Sequence, residues 1–236
     1  MVEVIEYKLD DRTIKIFPAE DAQRPVVFSS EFDSDGRKIL QECAALDCPP
    51  FHLVTISDIN WNEDLSPWEA NRVLGNQNHF TGGAPAYLDW LLSVVIPLTQ
   101  YELGKSYGEA YISGYSLAGL FALWSLYQTD IFKGAACVSS SLWFPDFKEY
   151  ALTHPFAMRT QAAMPKAIYL SLGDRESKTK NKILRGNAEI YEILVRHYAE
   201  QKIRTIYQNN PGNHFSDVYL RVARGITWLM ADEARG

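Results

Sequence analysis

Short apolar runs that alternate with longer segments of helical spacing constrain the fold of this chain more than any other feature. The runs are PVVFSS (25–30), FHLVTIS (51–57), AYIS (110–113), GAACVSS (134–140), AIYLSL (167–172) and IRTIYQ (203–208). Between them, apolar residues fall on one helical face, as Tyr87, Leu91 and Val95 do before AYIS and as Tyr191, Leu194 and Tyr198 do before IRTIYQ. Strands covered by helices on both faces have this continuous apolar character. The pattern predicts an α/β fold with a mostly parallel central sheet and helices on both faces.

Two stretches of the chain, at the N-terminus and at 60–85, depart from this pattern. The opening EVIEYKLDDRTIKIFP alternates apolar and polar residues around Asp10 and Asp11, which predicts an antiparallel β-hairpin. No repeat, low-complexity tract or linker divides the chain, so residues 1–236 are expected to form one domain. The stretch 60–85 has no clear periodicity, and long irregular stretches in compact domains are usually functional or mobile. We therefore expect a lid or a substrate-binding excursion there.

Charge and cysteine content exclude several classes of function. A net charge of −6, without a basic cluster, argues against a nucleic-acid partner or an anionic membrane surface. The longest apolar stretch is interrupted by Asp89 and Pro97 and is too short to cross a bilayer. The three cysteines have no metal-type spacing and are expected to be reduced thiols, and MVEVIEYK does not resemble a signal peptide. These features predict a cytoplasmic protein without a metal, and they give no indication of its oligomeric state.

The stretch SGYSLAGLF (113–121) contains the best candidate for a reacting group. Ser116 stands in G-Y-S-L-A-G, close to the G-x-S-x-G turn that holds the nucleophile of α/β-hydrolases, with Ala118 at the position of the second glycine. Small neighbours are needed there because the serine adopts a strained conformation between a strand and a helix. The buried strand AYIS and the apolar helix LAGLFALWSLYQ flank it as required. We therefore predict that Ser116 is a nucleophile rather than a helix cap.

A reactive serine needs a base, and the base needs a carboxylate to orient it. His214 follows the last predicted strand in the turn-rich loop NNPGNHFSD, whereas His197 lies on the polar side of a helix. The acid is expected after the preceding strand, in AIYLSLGDRESKTKN, where Asp174 and Glu176 are both available. Spacing does not choose between these two residues.

Taken together, these motifs resemble the putative esterase family of α/β-hydrolases, which includes esterase D-like and enterochelin esterase-like enzymes. The resemblance extends from about Pro25 to Leu229 and includes DLSPW (64–68), YLSLGDRES and NPGNHFSD. It implies an α/β-hydrolase fold that hydrolyses carboxylic esters through an acyl-enzyme, without a cofactor. It also favours Glu176 as the acid, because the family's acid commonly stands three residues after a glycine. Siderophore esterases tend to have an arginine just before D-L-x-P, and INWNEDLSP has none.

This mechanism also requires donors for the oxyanion and a pocket for the substrate. We expect the backbone N–H of Leu117 to be one oxyanion donor and that of Phe32, in the loop SSEFD, to be the second. Aromatic residues near the expected cleft are candidates for contact with a small-molecule ester, namely Tyr115, Trp143, Phe144, Trp61, Trp68 and Phe80. Two alternatives use the same residues differently. One is an acyltransferase with the same triad, and the other is a catalytically silent binding protein on the hydrolase fold.

Overall fold

The computed structural model describes residues 4–33, 35–71, 79–104, 107–158 and 167–233. Ten strands lie in these ranges: β1 (Ile5–Leu9), β2 (Arg12–Phe17), β3 (Val26–Ser30), β4 (His52–Ser57), β5 (Glu69–Ala70), β6 (Phe80–Thr81), β7 (Ala110–Tyr115), β8 (Phe132–Val138), β9 (Ala167–Gly173) and β10 (Arg204–Asn210). Eight of them form the central sheet in the order β1-β2-β4-β3-β7-β8-β9-β10, while β5 and β6 pair separately.

Antiparallel pairing in the central sheet is confined to β1, β2 and β4 at one edge. β1 and β2 form the expected antiparallel hairpin, with Leu9 opposite Arg12, and β2 is also antiparallel to β4. From β4 to β10 all neighbours are parallel. The prediction of a mostly parallel sheet with an N-terminal antiparallel hairpin is confirmed.

The helices are α1 (Gly36–Ala45), α2 (Trp61–Asp64), α3 (Ala84–Trp90), α4 (Ile96–Leu103), α5 (Leu117–Ser125), α6 (Phe147–Thr153), α7 (Lys182–Glu200) and α8 (Val218–Glu233). A five-residue π-helical turn, Leu91–Val95, joins α3 to α4. Pro97 follows this turn and has no N–H for the carbonyl one turn earlier, so a wider turn there is physically reasonable. None of the helices in the described ranges is long and apolar enough to cross a membrane.

Helices cover both faces of the sheet, as the sequence predicts. α1 and α8 pack on one face, where Ile39 and Val222 belong to the same apolar cluster. The other face carries the remaining long helices, and all nine residues of α5 are buried there. Adjacent strand residues contribute to opposite clusters, as Val27 and Phe28 do. This packing fixes the parallel strands, whose carboxyl ends meet at one edge of the sheet.

Candidate active site

Ser116 lies in a sharp turn between β7 and α5. Its φ of 59° and ψ of −119° place it in a region that side chains other than glycine rarely adopt. The turn is held by the backbone, since Ser116 N–H donates to Val138 O at 2.9 Å and Ser116 O accepts from Ser141 N–H at 3.0 Å. A strained residue over-determined by its surroundings is typical of a functional position.

The residues around Ser116 are small because the strand and the helix approach closely. A Cβ atom on Gly114 would lie 2.3 Å from the backbone carbonyl of Ala118, and a Cβ atom on Gly119 would lie 2.1 Å from Ser140 Oγ. Ala118 is fully buried, so its methyl group is accommodated where the common pattern has glycine. The departure from that pattern therefore leaves the turn intact.

Two further side chains converge on the serine hydroxyl. His214, in the loop after β10, has Nε2 3.1 Å from Ser116 Oγ and Nδ1 2.8 Å from Glu176 Oε2. An ionised carboxylate can only accept a hydrogen bond, so Nδ1 must carry the proton and Nε2 must present its lone pair to the serine hydroxyl. This is the tautomer that a general base requires.

The environment of Glu176 keeps its carboxylate ionised. Burial by itself would raise the pKa of this group, but hydrogen bonds with His214, Ser139 and the Gly173 N–H outweigh it and lower the pKa to about 2. Oε1 accepts from Ser139 Oγ at 2.6 Å and from Gly173 N at 2.7 Å. The carboxylate is therefore charged throughout the neutral range and oriented on both oxygens.

Asp174, the other candidate acid, binds a backbone group of the neighbouring loop. Its Oδ1 accepts from Gly212 N–H at 2.9 Å, and its own N–H donates to Asn210 O at 2.7 Å. The residue is exposed and ties the loop after β9 to the loop that carries His214. Within the described residues, the carboxylate on the imidazole is that of Glu176.

A buried arginine behind Glu176 was missed by the sequence reasoning. Arg221, in α8, is 1% exposed, and its Nη2 lies 3.0 Å from Glu176 Oε1 and also donates to Ser139 Oγ. Its Nη1 donates to Tyr115 Oη at 3.0 Å and to Asn213 O at 3.1 Å. One guanidinium thus connects the acid with the strand before Ser116 and with the loop of His214. The available signal was an arginine on the apolar face of α8, one turn before Gly225.

The two predicted oxyanion donors lie at the same edge of the sheet, one at the start of a helix and the other in a loop. Leu117 is the first residue of α5, where an N–H group has no acceptor within its own helix. Phe32 follows β3, the neighbour of β7, and its side chain is 84% exposed. Its ring packs edge-on against Trp61, with ring centroids 5.6 Å apart.

A cavity of about 600 Å³ opens beside Ser116 and His214. Its wall includes the rings of Trp61, Phe80, Trp143 and Phe215. Of the six aromatic residues that the sequence suggested, Trp61, Phe80 and Trp143 are in this wall.

The other three suggested aromatic residues lie behind the cavity wall. Tyr115 donates its hydroxyl to His214 O and is 8% exposed. Phe144 and Trp68 pack against one another, with centroids 5.7 Å apart, and the Trp68 Nε1 donates to Pro145 O.

The irregular stretch 60–85 contributes to this cavity. Trp61, Asn62 and Phe80 belong to the wall, while residues 72–78 of the stretch lie outside the described residues. Whether the stretch acts as a lid stays a prediction. Among the described residues, no group of three or more His, Cys, Asp or Glu side chains could hold a metal ion.

Comparison with known proteins gives a match for most of the chain. A family model described as "Putative esterase" matches residues 36–215. No curated protein matches the sequence.

Several solved structures have the same fold. An IroE-like serine hydrolase from Shewanella oneidensis has a TM-score of 0.74 at 18% identity, with 98% of this chain and 81% of that chain covered. The siderophore hydrolase EstA from Aspergillus nidulans also scores 0.74, at 16% identity, with 98% and 94% covered. The enterobactin esterase FES from Shigella flexneri scores 0.67 at 17% identity, with 99% of this chain and 60% of that one covered. At these identities the likeness concerns the fold.

Proposed function

The chain belongs to the putative esterase family of α/β-hydrolases and is a carboxylic ester hydrolase, and from this premise we propose that Ser116, His214 and Glu176 carry out its reaction. The observation that supports the assignment most directly is the continuous hydrogen-bonded path from Ser116 Oγ through the imidazole to Glu176, with distances of 3.1 and 2.8 Å. In chain order the three residues are serine, acid and histidine, as in other α/β-hydrolases.

The first half of the reaction forms an acyl-enzyme. Ser116 Oγ attacks the ester carbonyl while His214 Nε2 takes the hydroxyl proton. The positive charge that develops on the imidazole is stabilised by the ionised carboxylate of Glu176 on its other side. His214 then gives the proton to the leaving alcohol. In the second half, water attacks the acyl group with His214 again as the base, and the serine is released.

Backbone donors stabilise the negative charge of the tetrahedral intermediates. We assign this role to the N–H groups of Leu117 and Phe32. The support for Leu117 is its place at the start of α5, where the helix dipole also favours a negative charge. Phe32 is supported by its place after β3, the strand that pairs with β7. One such donor typically contributes about 10²–10³ in rate.

The cavity suggests an ester with an apolar or aromatic acyl group. Its aromatic rings surround a space of about 600 Å³, within the range of small-molecule sites. Among the wall residues that the structure describes, Arg175 is the one with a permanent positive charge, and it is exposed at the surface. Some fold neighbours are siderophore hydrolases. Siderophore esterases tend to have an arginine just before D-L-x-P, however, and residues 58–64 of this chain contain none. We therefore place a simple aryl or alkyl ester ahead of a tri-catechol lactone.

The setting of the enzyme follows from its composition. We propose that it works in the cytoplasm as one domain, on a small-molecule ester, without a cofactor and without a nucleic-acid partner. The support is the net charge of −6 and the arrangement of reactive groups around Ser116, which need no metal for this chemistry.

Removal of the Ser116 hydroxyl tests the assignment. Ser116→Ala should lower kcat/KM for nitrophenyl esters by about 10⁴–10⁶, since the hydroxyl that His214 Nε2 contacts is then missing. A fluorophosphonate probe should label the wild type at Ser116 and leave the variant unlabelled.

Ser141 offers a matched control, because it lines the same cavity. Ser141→Ala should keep both the probe labelling and at least a tenth of the activity. Wild-type turnover by Ser116→Ala, or a label on Ser141, would show that another group is the nucleophile. Adding alcohols or thiols as acceptors to the wild type would reveal an acyltransferase through ester or thioester products.

A further inference from the structure

Outside the cavity of Ser116, two cysteines meet at the end of α1. The helix ends in a Schellman motif: Cys48 N–H donates to Cys43 O at 3.0 Å, Asp47 N–H donates to Ala44 O at 3.2 Å, and Asp47 has a φ of 52°. In this motif the third-last helical residue and the second residue after the C-cap residue Leu46 normally make an apolar side-chain contact. Here both of those positions are cysteines.

We propose that Cys43 and Cys48 form a peroxide-oxidisable dithiol that closes reversibly to an intramolecular disulfide. The backbone hydrogen bond between the two residues already brings their Cα atoms close, as a disulfide requires. The structure holds both as free thiols. Both cysteines line one cavity beside α1, so the bond can form without unwinding the helix.

The two thiols have different roles in this reaction. A hydrogen bond between them raises the pKa of Cys43 and lowers the pKa of Cys48. Cys43 is 2% exposed, with Sγ facing Ala223 O of α8 at 4.0 Å, whereas Cys48 is half-buried. Cys48 is therefore the more accessible and more readily deprotonated thiol, which an oxidant meets first, and Cys43 is the thiol that resolves the product.

A second surface cavity gives an oxidant access to this pair. It measures about 410 Å³, is lined by both cysteines, and shares no wall residue with the cavity of Ser116. Its charged wall residues are Glu20, Asp21 and Arg24, of which Arg24 is paired with Asp21 at 3.2 Å. The remaining negative charge disfavours an anionic oxidant, so a small neutral hydroperoxide fits best.

The chemistry balances with hydrogen peroxide as the oxidant. The Cys48 thiolate attacks one peroxide oxygen, which forms an S–O bond, breaks the O–O bond and releases hydroxide. The Cys43 sulfur then displaces the hydroxyl group from Cys48, which forms the S–S bond and releases water as the thiol proton is transferred. Two thiols are oxidised, and one peroxide is reduced to two molecules of water.

Cys137 provides an internal control. It is fully buried in β8, and burial raises the pKa of its thiol, so peroxide should not oxidise it in the folded protein. Trypsin cleavage after Lys38 and Arg72 yields one peptide that holds Cys43 and Cys48, has no methionine, and excludes Cys137.

Mass spectrometry of this peptide tests the proposal. The folded protein is treated with hydrogen peroxide, unfolded, alkylated with iodoacetamide and digested. Peptide 39–72 should be about 2 Da lighter than its reduced form and should carry no alkyl group, and dithiothreitol should restore both alkylation sites. Two alkylated cysteines after peroxide treatment, a sulfinic acid on Cys48, or a disulfide between two chains would overturn the proposal.

Variants separate the two roles. Cys43→Ser should leave a Cys48 sulfenic acid that dimedone traps, Cys48→Ser should lower the oxidation rate of the peptide at least tenfold, and Cys137→Ser should behave as the wild type. If a variant fails to fold, the wild-type peptide still decides the question. The outcome is independent of ester hydrolysis, since none of the measurements uses the reaction at Ser116.

Discussion

Replacing Glu176 by glutamine gives the sharpest test of the proposed acid. Oε1 of Glu176 is surrounded by donors, namely Ser139 Oγ, Gly173 N–H and Arg221 Nη2. In Glu176→Gln the amide oxygen must take that position, and the amide nitrogen must then face His214 Nδ1. An NH₂ group donates, so Nδ1 has to accept and the ring proton moves to Nε2. The imidazole would then present a donor to the serine and could not take its proton.

The size of the effect follows from the charge that is lost. The surroundings hold the pKa of Glu176 at about 2, against an ordinary 4.5, which corresponds to about 3 kcal/mol in favour of the carboxylate. Only the part of this free energy that comes from His214 can stabilise the imidazolium, because Ser139 and Gly173 also lower the pKa, so the electrostatic loss is at most a factor of about 150 in rate. The reversed tautomer adds to this loss, so we expect kcat/KM to fall by about 10³–10⁴.

The assay is the initial rate of nitrophenolate release from a nitrophenyl ester. Asp174→Asn is the matched control, because an amide oxygen can still accept from Gly212 N–H, and its rate should stay within about threefold of the wild type. Circular dichroism should show both variants folded. If Asp174→Asn loses as much activity as Glu176→Gln, or if Glu176→Gln retains more than about a tenth of the rate, the proposed role of Glu176 is wrong.

Three further predictions concern the surroundings of the site. Arg221→Met should lower kcat by about 10–100-fold with little change in KM, because Glu176 and the loop of His214 lose their hydrogen bonds to the guanidinium. Arg224→Met, on the same helix but with its hydrogen bond to Asn210, should leave kcat unchanged. Equal kinetics for the two variants would contradict this role of Arg221. Gly114→Ala should lower Tm by about 6–12 °C, since the new Cβ atom would meet the backbone of Ala118. Gly186→Ala should raise Tm by about 2–4 °C, because a Cβ atom there has open space in α7. Calorimetric scans in which the two Tm values do not move in opposite directions would refute the packing argument. Burial raises the pKa of Glu31 to about 7, and the hydrogen bond with Ser29 opposes this only in part. The folded state therefore binds the Glu31 proton more tightly than the unfolded state does. The free energy of unfolding should fall by up to about 3 kcal/mol as the pH rises from about 4.5 through 7. Glu31→Gln should remove this loss in urea titrations at about pH 5 and pH 8, and an unchanged difference between the two pH values would count against it.

The fold was predictable because each of its parts has a local pattern. Parallel strands buried on both faces are continuous apolar runs, and the hairpin alternates around Asp10 and Asp11. The turn at Ser116 was predictable for a similar reason, since close backbone approach restricts the residue type at Gly114. His214 followed from the order of the strands, once the turn had been identified.

The acid and its supporting residues depend on contacts that no local pattern contains. Asp174 and Glu176 lie two residues apart, and only the 3₁₀ turn at Glu176–Lys178 directs one of them towards His214. Arg221 meets Tyr115, Ser139 and Glu176 from three distant parts of the chain, in addition to the nearby Asn213. The aromatic wall of the cavity was difficult to predict for another reason. Rings that line the cavity and rings that lie behind its wall have the same apolar character in the sequence.

The complete burial of α5 has a consequence for how this enzyme can diversify. A change at any of its nine residues disturbs the packing of the sheet, so the helix behind the nucleophile has little freedom to vary. New substrate preferences would have to arise in the loops that face the cavity, at positions such as Arg175, Thr179 and Phe215, where the sheet does not depend on the side chain. Libraries for directed evolution should therefore leave 117–125 intact and randomise those loop positions.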